Sequence, residues 1–181
     1  MRSYHLSANE FEEFRQQYRS GPGHSDVGFH FGSKATALTV GDKLEKEGRV
    51  VSGDPVYLYK VDLDLGNVLR LKENRGGSWS VHDILRAIFD PTEDGEPLPD
   101  GFSEDDLDGY YDDEVIAPSG ENLKDLLHAP EEEVAEFIEW LHARGIDSVS
   151  YDNRFEGGGR SYIVFDPERV EILDVEKYRI G

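Results

Sequence analysis

Segments that read as β-strands gather toward the two ends of this chain with helical segments between them, an order that selects an α+β fold over a doubly wound parallel sheet. SYHL (residues 3–6) and VGFHF (27–31) are short apolar runs. PVYLYKVDLDLGNVLRLKE (55–73) alternates apolar and polar residues as half-buried strands do, with Leu-Gly-Asn as the turn between two of them. IDSVSYDN (146–153), RSYIVFD (160–166) and VEILDV (170–175) supply the later strands. Helix is expected in ANEFEEFRQQYR (8–19), where Phe11, Phe14 and Tyr18 recur at helical spacing, and in KATALTVGDKLEKEG (34–48), with Ser33 as its N-cap. SVHDILRAIF (80–89), ENLKDLLH (121–128) and PEEEVAEFIEWLHARG (130–145) complete the helices. The last opens with Pro130 and three glutamates where the helix dipole favours them and stops at Gly145.

A chain of 181 residues fits a single domain whose core needs no covalent staples. It has no cysteine, so any chemistry rests on carboxylates, imidazoles, hydroxyls and backbone groups. The formal charge of −20 argues against duplex nucleic acid as a direct ligand, although the same charge would attract a basic protein. Twelve acidic residues and no Lys or Arg fall in residues 90–114, together with several prolines and glycines, so this stretch is expected to be an extended, solvated insertion. No stretch is long and apolar enough to span a bilayer, and the N-terminus becomes charged before a signal-peptide core can form. A soluble, cytoplasmic protein with no membrane contact is the expectation.

The segment YDNRFEGGGRSYIVFDPERV (151–170) places Asp152, Asn153 and Glu156 beside three consecutive glycines. A plain hairpin needs one glycine or an Asn-Gly pair, so the run suggests a close approach to that backbone. Two further pieces precede it: Tyr4-His5-Leu6-Ser7 on the first strand and Gly28-Phe29-His30-Phe31-Gly32-Ser33 on the second. In this order, with Gly145-Ile146-Asp147 through Tyr151-Asp152-Asn153 and on to Ser161-Tyr162-Ile163-Val164-Phe165-Asp166-Pro167, the chain resembles the ADP-ribosyltransferase superfamily. The resemblance is to the small domains of this superfamily found in phage and bacterial toxins.

That resemblance implies two small twisted sheets gripping NAD+ in a cleft, with the dinucleotide as substrate. Cleaving the nicotinamide–ribose bond builds an oxocarbenium-like charge that a nearby carboxylate stabilises more in the transition state than in the ground state. Glu156 is the first candidate for this group and Asp152 the second; alternatively both are solvated charges at a hairpin mouth. By the same resemblance His5 hydrogen-bonds a ribose hydroxyl, while Leu6 stands where relatives often carry glycine facing the carboxamide, and Ser7 where they carry Ser or Thr. Strand alternation sets Phe29 and Phe31 opposite His30, so the phenylalanines either wall the nicotinamide or belong to the core. His30 stands where relatives often carry Tyr.

Ser33 at a helix N-terminus would hold diphosphate or serve only as a cap. Arg160 and Arg154 are candidate phosphate contacts, or surface ion-pair partners. His5, His24, Asp26 and His30 match no metal-ligand spacing. The function these residues suggest is an NAD+-dependent mono-ADP-ribosyltransferase acting on a macromolecule, with a protein as the expected target. NAD+ hydrolysis is its close variant. The rival is a non-catalytic acidic protein that mimics nucleic acid and binds a basic partner.

Overall fold

A computed structural model of the chain describes residues 1–15, 26–46, 48–72, 79–92, 95–126, 130–153 and 158–179. It is an α+β structure with two small antiparallel or mixed sheets. The first has the order β1 (Arg2–Ser7), β3 (Pro55–Leu63), β7 (Val170–Arg179), and the second the order β2 (Phe29–Phe31), β6 (Arg160–Val164), β5 (Ser148–Asp152), β4 (Val68–Leu71). Only the β4–β5 pair is parallel. The sheets meet where Tyr4 and Gly32 exchange backbone hydrogen bonds of 2.9 and 3.0 Å.

Alternation along β1 and β3 sends side chains to two different cores. Leu6, Val56 and Leu58 pack under helix α1 (Lys34–Lys46) with Ala37 and Leu44, whereas Tyr59, Val61 and Leu63 meet Phe14, Phe29, Phe31 and Val164 between the sheets. The other face of the four-stranded sheet carries Val149, Tyr151 and Ile163 against α2 (Val81–Phe89) and α4 (Pro130–His142). Ser80 starts α2 with a reciprocal capping box to Asp83. Gly28 lets β2 lie close to β6, since a Cβ there would stand 2.5 Å from the Val164 carbonyl oxygen. Among the described residues no helix is long and apolar enough to cross a membrane.

Three expectations change. Residues 8–15 are irregular rather than helical, and the remainder of that segment lies outside the described residues. Tertiary bonds replace the helical ladder: the Phe11 N–H donates to Tyr59 Oη at 2.6 Å, and the Phe11 ring stacks on Tyr59 at 4.2 Å. In 121–128 the described part forms a 3-10 turn, Leu123–Leu126, because the Leu123 N–H donates instead to the Val115 carbonyl.

The third correction concerns 90–114, which is not an extended, solvated insertion. Helix α3 (Glu104–Tyr111) starts with a Ser103–Asp106 capping box, and Leu98, Phe102, Leu107 and Tyr110 pack on the core of α2 and α4. Arg144 pairs with Asp106 while lying over the Trp140 ring at 3.8 Å. Burial alone would raise the Asp106 carboxyl, but the Arg144 guanidinium and the Ser103 hydrogen bonds hold it below the usual carboxylate range. Composition reads as solvation here because the few apolar residues are placed on one side.

Candidate functional site at the junction of the sheets

The junction of β1 and β2 is held by polar groups. Ser3 Oγ donates to the Gly32 carbonyl at 2.8 Å, and His5 Nδ1 donates to the His30 carbonyl, also at 2.8 Å. Because a carbonyl only accepts, the His5 proton sits on Nδ1 and Nε2 carries the lone pair. The half-buried ring faces the core between the sheets, with Phe14 at 5.3 Å and Phe31 at 5.6 Å. Burial among these aromatics, opposed by the bond to the His30 carbonyl, pushes the His5 pKa down to about 4. His5 is therefore neutral at neutral pH.

That burial carries a pH signature. With an ordinary value of 6.5 and a folded value of about 4, the unfolded chain takes up the proton first as the pH falls. The contribution is complete above pH 6.5 and is lost progressively as the pH approaches the folded value. It amounts to about 3 kcal/mol. Urea unfolding of native protein and His5→Asn should give a stability difference that shrinks by about that amount across the window, while the background titration of carboxylates cancels. A constant difference would place the imidazole in water.

Cross-strand register defines which side chains share a face with this junction. Asp152 pairs with Arg160, Ser150 with Tyr162, and Phe31 with Tyr162, so all five project from the face of the four-stranded sheet on which Phe31 meets His5. His30 projects from the other face, where Nδ1 lies 3.2 Å from Tyr151 Oη. The opposition of His30 to Phe29 and Phe31 agrees with strand alternation. Both phenylalanine rings are core, 3% and 1% exposed, rather than a surface for an incoming ring.

Asp152 Oδ1 accepts from Arg160 Nη2 at 3.0 Å, and both side chains are substantially exposed, so this pair contributes little to stability. Its consequence is electrostatic: Arg160 balances Asp152. Leu6 turns away from His5 into the core under α1 and borders a cleft of about 260 Å³ shared with Leu38, Tyr178 and Arg179. Ser7 Oγ accepts from the Asn9 N–H at 3.0 Å and shapes the turn. Ser33 is exposed, and its Oγ accepts from the Thr36 N–H at 3.1 Å as the expected cap of α1. Glu156 and Arg154 lie outside the described residues, as does His24.

Residues to which sequence reading gave no role tie the hairpin to this junction. Buried Asn153 donates from Nδ2 to Ser161 Oγ at 3.0 Å and from its backbone N–H to the Gly159 carbonyl at 2.8 Å. Thr36 Oγ1, 2.9 Å from Ser33 Oγ, also donates to the Gly158 carbonyl at 3.3 Å. A Cβ on Gly32 would stand 3.0 Å from Thr36 Cγ2 and 3.1 Å from Ser161 Oγ, so these small side chains close on β2. Gly158 and Gly159 have φ of +77° and +91°, a conformation that favours glycine, and an added Cβ would meet no protein atom within 4 Å at either. The pairing of Asn153 with Ser161 across a glycine turn is the sequence signal that could have revealed this clamp.

Among the described residues no group of three His, Asp or Glu could hold a metal ion. No protein-family model, curated protein or solved structure matches this chain.

Proposed function

We propose that this protein is an ADP-ribosyltransferase-like enzyme that consumes NAD+ and modifies a macromolecule, in the manner of small phage and bacterial toxin domains. The observation that carries the reading is the placement of a neutral His5 at the junction of two small sheets, on the side shared with Asp152. The ordered motifs around His5, Gly28–Ser33 and the hairpin of β5 and β6 support it.

In this reading Nε2 of His5 accepts a hydrogen bond from a ribose hydroxyl, which requires the neutral tautomer that the His30 carbonyl selects. The C1′–N bond of the nicotinamide ribose breaks heterolytically, its electron pair leaves on the nicotinamide nitrogen, and positive charge spreads over C1′ and the ring oxygen. A carboxylate of the hairpin stabilises that charge. An acceptor O–H or N–H then bonds to C1′ and gives up its proton to the carboxylate or to solvent.

The test is incubation with NAD+ carrying a label on the adenosine half, following free nicotinamide and labelled macromolecule together. The expected result is nicotinamide release that depends on the protein, with label passing to a protein acceptor. Release without labelling leaves hydrolysis as the activity, and no release at all rejects the enzymatic reading.

A further inference from the structure

The acidic segment folds into a surface that combines apolar and anionic groups. Residues 95–98 and α3 enclose an open groove of about 530 Å³ lined by Gly95, Glu96, Pro97, Leu98, Glu104, Leu107 and Tyr111. The helical repeat places Glu104, Leu107, Asp108 and Tyr111 along one side of α3, while Asp106 and Tyr110 turn toward the protein. The floor is apolar and the rim is anionic.

Nearby cations are already engaged: Lys72 pairs with Glu96, Lys124 with Asp113, Arg144 with Asp106 and Arg86 with Asp90. Glu104, Asp105, Asp108 and Asp112 have no cationic partner among the described residues. Tyr111 is 47% exposed at the groove wall, an amphipathic ring of the kind enriched at protein interfaces. A second copy of the chain would bring like charge against like charge, at −20 per molecule, so self-association does not account for the groove.

We propose that this groove docks a short basic segment of a protein partner, in which an aliphatic or aromatic anchor lies between Lys or Arg residues. The anchor occupies the floor made by Leu98 and Leu107, and the flanking cations meet Glu104 and Asp108, with one of them over the Tyr111 ring. The docking stands apart from NAD+ use; if the enzymatic reading holds, it recruits the acceptor.

Fluorescence anisotropy without NAD+ tests it, using a labelled peptide with Lys and Arg around a single Leu, a version with Gly in place of that Leu, and a version with Glu in place of the cations. Saturable binding of the first peptide is expected. It should weaken by roughly tenfold or more for the Gly version, for the Glu version, for Tyr111→Ala and for the double variant Glu104→Lys with Asp108→Lys. The substituted side chains are exposed, and circular dichroism verifies that the variants fold. Equal affinity for the Leu and Gly peptides, an unchanged Tyr111→Ala, or no saturable binding would each overturn the proposal. Because nicotinamide release is measured separately, failure here leaves the enzymatic reading untouched.

Discussion

Phe31→Ala is expected to lower the unfolding free energy by about 3–5 kcal/mol, the range found when a fully buried large aromatic is truncated. Phe31 is 1% exposed, belongs to the core between the two sheets, and contacts both Phe14 at 5.3 Å and His5 at 5.6 Å. Removing the ring takes apolar contact from both sheets at once and leaves a cavity that three-residue β2 has little length to close. It also admits water beside His5, which relieves the burial that depresses the imidazole. Urea unfolding at neutral pH gives the first quantity, and an NMR titration of the His5 ring gives the second, with its pKa moving upward from about 4. A loss below about 1 kcal/mol would mean the sheets do not depend on this contact.

Glu156→Gln is expected to reduce nicotinamide release by about 10²–10³-fold, the scale on which one electrostatic contact to the transition state acts. The substitution keeps size and hydrogen-bonding capacity while removing the charge, so it separates charge stabilisation from shape. Asp152→Asn should cost less than about tenfold, because the Arg160 guanidinium already balances the Asp152 charge. Under the proposed NAD+ activity, breaking that pair would free Arg160 for the diphosphate, and a fall in KM for NAD+ with little change in kcat would accompany it. The reverse ranking of the two variants transfers the catalytic role to Asp152. Unchanged release in both would sink the carboxylate mechanism.

Much of the architecture is legible along the chain because it follows from local periodicity. Alternation in 55–63 predicts a strand buried differently on its two sides, and β3 is that strand, with Leu58 and Tyr59 in separate cores. The opposition of His30 to Phe29 and Phe31, and Ser33 as the cap of α1, come from the same short-range rules. Residues 8–15 escaped them because helical spacing of Phe11 and Phe14 was satisfied by packing on Tyr59, whose hydroxyl takes over the backbone bond. Residues 90–114 escaped because composition counts charges without recording which side of a helix they occupy.

Within the candidate site, residue types were readable and their partners were not. His5 is conspicuous in SYHL, yet only the crossing of β1 and β2 brings the His30 carbonyl to Nδ1 and sets the ring against both Phe14 and Phe31. Asp152 and Arg160 look like independent charges until antiparallel register sets them opposite each other. The amino-acid order by itself determined the strands, most of the helices, the large negative charge and the absence of thiol chemistry. Tertiary structure alone decided which core each strand face enters, how deeply the His5 ring is set among aromatics and which acids find cations, since burial and pairing depend on segments far apart in the chain.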